Sequence, residues 1–524
     1  MPEDCPEIPI TRPLHNLPDS EKPTIRILLY TDDPQEVVEQ TGPPFGLGVM
    51  ISHLRSHPPA FAKLCVKLVT RYPPGSTKAS NKINVVLEEA EKAKKPFDQV
   101  WFFGLHQINK KILTFHVGGG GPESELDKDE VSALRTRMDA GLGILVTGDH
   151  ANERPEGVLD NPDSPIPDDA RNEKYLGLGR ALGRSIPRAG MLRDWEGVPT
   201  ANPRHSFNTQ VFTFGTTLTQ IGFQKDPVPQ QLILKTFNER GKPSLEGRPH
   251  PLFFYRDGAA ILLYPDHLHE GAVTLPKELK EDLWPKTPDG FQPQPRIVAY
   301  GVDKRNARKL KLIAVYDGDV VNAGRIVADS TWHHYFNVNL REFPPESAPL
   351  TPADQIGQYY ANLALWLSPL AKRIEMSDAM SRWLERQPEI AELVGPQPSK
   401  RTRDVLITGD LAMKHLAAEA SDCEVHELLQ LIVPRANGKR YESLHFPEER
   451  RALSPLPSKE LLLGLFIHKA AKEPAEMLTL EVSSEARFTF RRNSIMAASA
   501  IAFKIQRRRV ELTARRSQRL FPDT

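Results

Sequence analysis

Four ionisable side chains crowd into five positions at Asp266-His267-Leu268-His269-Glu270, directly after the apolar run that opens at Ala259 (AAILLYPDHLHEG). Alternate residues of an extended chain face the same side, so His267 and His269 can converge on one cation with Asp266 adding an oxygen. The chemistry expected is a divalent metal site, Zn or Mn, beside Glu270 as general acid or base. The alternative is a solvated turn. Two further runs end in the same residue types: Gly141–His150 (GLGILVTGDH) leads to Asp149 and His150, and Arg325–Phe336 (RIVADSTWHHYF) leads to Asp329, His333 and His334. A carboxylate beside an imidazole can orient a general base, and in a parallel α/β sheet such groups collect at the carboxyl ends of strands. One convergent polar site is expected, with Asp149, His150, Glu270, His333 and His334 as its catalytic set.

Other residues carry weaker signals. Asp32 and Asp33 end the first apolar run, where Asp32 can reach substrate or cap a helix. Arg188 and Arg193, with Arg180 and Arg184, can grip an anionic small molecule through paired N–H groups, or stay solvated. Gly118-Gly119-Gly120-Gly121 lacks the Lys-Ser/Thr of a phosphate loop and reads as a plain loop. Between Arg487 and Arg519 lie ten basic residues and one acid, Glu511. That stretch can contact nucleic acid or an acidic partner, although interleaved apolar residues such as Ile501 and Phe503 favour packing through one face.

The elements that must position these groups follow from hydrophobic spacing. Strands are predicted at Thr24–Thr31, 62–70, 99–104 and 143–147, with helices around 46–56, 82–94 and 126–140 between them. This alternation predicts a doubly wound, mostly parallel α/β sheet, flavodoxin-like in type. Further strands are expected near 261–264, 297–299, 311–316 and 325–328. The expected organisation is an N-terminal tail (1–23), an α/β domain (24–342) with an insertion (151–206), a proline-rich linker (343–352) and a mainly helical region (353–524) with the basic tail 487–519. Lys+Arg 68 against Asp+Glu 67 give no global reason for a nucleic-acid or membrane partner. The acidic, proline-broken N-terminus and the lack of a long apolar run predict a cytoplasmic protein. Three scattered cysteines, Cys5, Cys65 and Cys423, suggest neither a disulfide framework nor a cysteine-rich zinc site.

The order of a helix, a glycine-led strand with a sharp turn (GLGILVTGDH), and a later GRIVADSTWHH resembles the class I glutamine amidotransferase-like fold. Its trehalose-utilisation-type (ThuA-like) branch is the nearer likeness, through Gly324-Arg325-Ile326 with His333 or His334. The resemblance covers roughly residues 24–340. It implies that one histidine of that pair enters the site. Where amidotransferases carry a cysteine nucleophile this chain has Asp149, so a thiol glutaminase is not expected. Leu178–Trp195 also resembles a pattern in bacterial proteins with the same GDH turn, which brings no activity with it. Two functions follow as expectations: a hydrolase with an Asp/His/Glu site, or a non-catalytic scaffold that binds a small molecule or signals through its C-terminal region.

Overall fold

A computed structural model describes residues 17–31, 39, 41–42, 46–72, 79–103, 126–147, 230–237, 243, 247–255, 258–264, 273, 275–276, 279, 281, 283–288, 290–302, 309–330, 333–337, 340, 352–394, 402–432, 459–470, 493 and 501. The first strands are β1 (Thr24–Thr31), β2 (Lys63–Thr70), β3 (Gln99–Phe103) and β4 (Gly143–Val146). Helices α1 (Gly48–Ser56), α2 (Ile83–Lys92) and α3 (Lys128–Asp139) alternate with them. β1 and β3 are near-continuous apolar runs because both their faces are covered, as parallel strands require. Asp127 starts α3 through a reciprocal capping box with Glu130. Glu130 is itself buried and takes both Nε and Nη2 of Arg71, at 3.2 and 2.6 Å. Gly141, at φ 106°, makes the turn from α3 into β4, a conformation that disfavours any side chain.

After the large insertion come β5 (Gln230–Gln231), β6 (Ile233–Leu234), β7 (Thr236–Phe237), β8 (Arg248–Pro249), β9 (Leu263–Tyr264), β10 (Arg296–Val302), β11 (Lys309–Tyr316) and β12 (Ile326–Asp329). The main sheet has eight strands in the order β2-β1-β3-β4-β12-β11-β10-β6. Its first four junctions are parallel and its last three antiparallel. The mixed α/β class with a mostly parallel sheet is therefore observed, but β11, and β6 at the edge, run opposite to the other strands, while β10 keeps the common direction.

A second difference concerns the run after Ala259. It was expected as a strand of the parallel sheet, yet only Leu263 and Tyr264 are extended, and they pair antiparallel with β5 in a separate ribbon. The physical reason lies in its backbone partners. The Gln355 side chain accepts from the N–H groups of Leu262 and Leu263 at 2.9 and 3.2 Å, so a helix satisfies donors that a sheet ladder would otherwise take.

That helix is α4 (Pro352–Trp366), followed by α5 (Leu370–Glu385), α6 (Pro388–Val394), α7 (Thr402–Glu419), α8 (Asp422–Ile432) and α9 (Lys459–Ala470). Pro352, the last residue of the expected linker, opens α4. α4 does not belong to a separately packed unit: Tyr359, Leu363 and Leu367 share one continuous core with Ile27 and Leu29 of β1, Trp101 of β3 and Val327 of β12. The opposite sheet face is covered by α2 and α3 through Ile83, Leu87, Leu134 and Met138. A buried charge cluster fastens the start of β12 to the helices. Arg325 donates to Glu427 of α8 at 2.9 Å and to the Trp366 carbonyl at 2.9 Å, while Arg373 of α5 donates to Glu427 at 2.8 Å and also pairs with Asp319. Burial opposes the charge on Arg325, but Asp317, Asp319 and Glu427 outweigh it and keep the guanidinium firmly protonated. Cys423 is free and buried, whereas Cys65 is disulfide-bonded, a tie the scattered cysteines did not suggest. Among the described residues no helix is long and apolar enough to cross a membrane.

Candidate functional site

β4 and β12 lie side by side, parallel, with Val146 opposite Ala328, so both runs reach the same carboxyl edge of the sheet. The next residues, Thr147 and Asp329, are buried there. Along β12 the side chains alternate: Ile326 and Ala328 enter the core under α2 and α3, and Val327 enters the core under α4. Asp329 follows Val327 onto the α4 side. The chain then turns through a short 3-10 segment, His333–Tyr335, which returns His334 and Tyr335 toward Asp329.

The result is a compact polar cluster inside an aromatic shell. Asp329 Oδ2 accepts from the Tyr335 hydroxyl at 3.1 Å and from the Tyr359 hydroxyl of α4 at 3.3 Å. The same oxygen lies 3.0 Å from His334 Nε2. Asp329 and His334 are both 0% exposed. Around the imidazole stand Tyr335 at 4.3 Å, Tyr264 at 4.4 Å and Tyr359 at 6.0 Å between ring centroids, and Phe103 at the end of β3 packs on Tyr335 at 5.2 Å. Tyr360 donates its hydroxyl to the His334 carbonyl and stacks on Tyr335 at 5.6 Å. Burial first, then the neighbouring phenols and the Asp329 charge, holds Tyr335 well above the usual phenol range. For Tyr359 burial and Asp329 do the same, so both are hydrogen-bond donors at any ordinary pH. Tyr264 is raised likewise, by burial and then by Tyr359.

Positioning comes from α4 and from the start of α1. Asn362 of α4 donates to the carbonyls of Leu252 and Phe254 at 3.2 and 2.7 Å, and Gln355 holds the strand that ends at Tyr264. Asn337, wholly buried just past the 3-10 turn, accepts from the Val49 amide at 2.8 Å and donates its own amide to the Gly46 carbonyl at 2.9 Å. The Asn337 bonds hold the chain just after His334, and those of Asn362 and Gln355 hold the segment that leads to Tyr264.

Of the sequence-predicted residues, His334 is brought against Asp329, which the catalytic set omitted. His333 lies in the same turn, with its side chain outside the described set. Asp32, Asp149, His150, Arg188, Arg193, Asp266, His267, His269 and Glu270 lie outside the described residues, as do Asp33, Gly118–Gly121 and Arg180 and Arg184. Among the described residues no group of three His, Cys, Asp or Glu side chains is placed to hold a metal ion. Asp329 and His334 supply one oxygen and one nitrogen ligand, fewer than a structural or catalytic zinc site uses. Sequence reasoning missed Tyr264, Tyr335, Tyr359, Tyr360 and Asn337. Their only signals were the aromatic residues flanking His334 and the Tyr-Tyr pair at helical spacing from Ile356 and Leu363 in α4, a pattern that reads as core. No family model matches the chain, and no curated protein or solved structure does either.

Proposed function

We propose that the chain is a hydrolase of amidotransferase-like architecture whose acid/base centre is His334 oriented by Asp329. The observation that carries this reading is the buried Asp329–His334 contact of 3.0 Å at the carboxyl end of a central strand. A buried carboxylate that holds an imidazole in place and offsets its charge is the means by which a histidine removes a proton from water and returns it to a leaving group. The strand order supports the fold part of the reading: β2-β1-β3-β4-β12 follows the 2-1-3-4-5 order of flavodoxin-like sheets, in which ligands sit at the carboxyl edge.

In this reading Asp149, His150, His333 and Glu270 complete the acid/base set. Asp266, His267 and His269 would hold a divalent ion such as Zn or Mn, which supplies a more acidic bound water. Asp32, Arg188 and Arg193 would bind a small anionic substrate. A cysteine nucleophile has no part in it.

The second reading is a scaffold that binds without turnover. It is favoured by the complete burial of Asp329 and His334 behind tyrosine rings. One experiment separates the two. The full-length protein is assayed on a panel of chromogenic esters, amides, glycosides and phosphoesters, with and without Zn or Mn, beside His334→Gln and Asp329→Asn. The hydrolase reading expects turnover that falls by about 10²-fold or more in both variants, with melting points close to wild type. Turnover retained in a folded His334→Gln, or none by wild type under any metal condition, rejects it.

A further inference from the structure

α1 carries His53 in its last turn and is closed by His57, its C-cap residue, whose N–H returns to the His53 carbonyl. Residues at this spacing stand one above the other on a single helix face. The two imidazoles are stacked there, 5.9 Å between ring centroids and 29° between planes. Among the described residues neither ring has a carboxylate partner, and the charged neighbour that His53 faces is His57 itself. Two such rings repel when both are protonated, whereas one shared cation can stand in place of both protons. We propose that His53 and His57 form a two-imidazole site for a divalent transition-type cation, Cu(II), Ni(II) or Zn(II), with water in its remaining positions.

Hydrogen bonds select the nitrogen that His57 offers. Its Nδ1 lies 3.3 Å from the His53 carbonyl and 2.9 Å from Ser56 Oγ. A carbonyl has no hydrogen to give, and the Ser56 hydroxyl already donates its own to that carbonyl at 3.3 Å, so Nδ1 is the donor to both oxygens. Nε2 keeps the lone pair. A ligating histidine ordinarily gives its other N–H to a carbonyl in this way, which fixes the orientation of the ring. His53 is set by α4 instead. A Cβ at Gly357 would meet His53 Nδ1 at 3.1 Å, with Cγ at 3.7 Å and Cε1 at 3.8 Å the next nearest, so the Nδ1 edge leans on the α4 backbone and the Nε2 edge is turned from it. Tyr360 of the same helix stands edge-on to the ring at 6.3 Å between centroids. Glycine inside a helix costs about 1 kcal/mol relative to alanine, and the room the imidazole needs accounts for it at this position. A cation bonded to both Nε2 atoms at about 2.0–2.1 Å holds the ring centres about 5–6 Å apart, close to the spacing already present. Imidazole nitrogen suits Cu, Ni and Zn, whereas Mg and Ca take oxygen ligands. This pair is separate from Asp266, His267 and His269 and does not rest on the hydrolase reading.

Calorimetric titration of the full-length chain, stripped with EDTA, with CuCl2 or NiCl2 tests it beside His57→Gln and a His267→Ala/His269→Ala double variant. Wild type is expected to bind an ion that the double variant keeps and His57→Gln loses. Removing a ligand costs more than the roughly 10–100-fold that follows loss of a ligand's outer partner, so affinity for that ion is expected to fall by about 100-fold or more. His57 is only half-buried at the end of α1, so thermal melts of His57→Gln are expected to match wild type. A folded His57→Gln that binds as many ions as wild type with the same affinity overturns the proposal, and so does a wild type that binds neither metal. An ion lost in the double variant and kept in His57→Gln belongs to the hydrolase site, and the proposal falls. Should His57→Gln fail to fold, electron paramagnetic resonance of the Cu(II)-loaded double variant decides: two coordinated imidazole nitrogens are expected, and a spectrum with one or none rejects the site.

Discussion

Asp98 and His53 show how burial sets the acid–base behaviour of single residues away from the site. Asp98, at the start of β3, accepts the Arg26 amide at 2.7 Å, yet burial outweighs that bond and raises its carboxyl to about 6. A carboxyl that binds its proton more tightly folded than unfolded contributes stability at low pH and loses it as pH rises from about 4 to about 6. His53 of α1 runs the other way. Burial, and then His57, lowers it to about 4, so its contribution is lost as pH falls from about 6.5 toward 4. Because the two windows overlap with opposite sign, the pH dependence of the whole protein hides both, and only a variant difference isolates one. Asp98→Asn keeps an acceptor for Arg26 and removes the charge. It is expected to match wild type near pH 4 and to be more stable by about 1–3 kcal/mol at pH 7.5. Urea denaturation at the two pH values checks this, and an equal gap at both would show that desolvation of Asp98 is not the cause. Neither residue stood out in the sequence, because a lone Asp or His carries no mark of its depth. Asp329 and His334 were more legible, since an apolar run ending in acid and imidazole announces a strand end. The tyrosines that grip them were not, because Tyr359, at helical spacing from Ile356 and Leu363, has the position of a core residue, and only the tertiary fold turns its hydroxyl onto Asp329.

Elements followed the sequence where periodicity is local and failed where orientation is needed. β1 to β4 and α1 to α3 were readable because a buried parallel strand is a continuous apolar run and an amphipathic helix repeats every three to four residues. The reversed direction of β11 was not readable, since the same apolar run suits either orientation. Helix packing in the C-terminal region was equally silent, although two glycines carried it. Gly409 in the middle of α7 and Gly464 in the middle of α9 let the helices touch. A Cβ at Gly409 would fall on the Glu460 carbonyl, and one at Gly464 on the Val405 carbonyl. Here two physical effects predict opposite signs for Gly409→Ala. Helix propensity favours alanine by about 1 kcal/mol, while forcing the backbones apart costs about 1–3 kcal/mol and disturbs Leu461 and Leu465 in the core. The contact lies against backbone, which cannot swing aside, so packing wins and a net loss of stability is expected. A thermal melt that rises in Gly409→Ala would show that α7 and α9 do not approach this closely.

For the whole molecule, the question is whether the α/β sheet and the helices after residue 352 are two proteins joined by a proline-rich linker or one. Proline clusters are good boundary signals in sequence, yet a boundary is a statement about shared contacts, which composition does not record. The contacts here cross it throughout. Gln99 of β3 donates to the Ser368 hydroxyl at 3.1 Å and to the Ala364 carbonyl, Arg325 is neutralised by Glu427 of α8, and Glu424 of the same helix accepts the Phe61 amide at 3.0 Å just before β2. The candidate site crosses it too, because Tyr359 and Tyr360 belong to α4. A chain ending at residue 342 would expose the sheet face now covered by Tyr359, Leu363 and Leu367, and would leave Arg325 buried or half-buried beside two aspartates without its glutamate. Stripping one side of a buried charge pair costs about 3–5 kcal/mol, and the lost apolar cover adds to it, so the total approaches or exceeds the roughly 5–15 kcal/mol that holds an ordinary domain together. Residues 1–342 expressed alone are therefore expected to lack a cooperative thermal transition and to bind hydrophobic dye. A sharp melt near that of the full chain, with little dye bound, would establish the sheet as an independent domain and make the helices an accessory to the site.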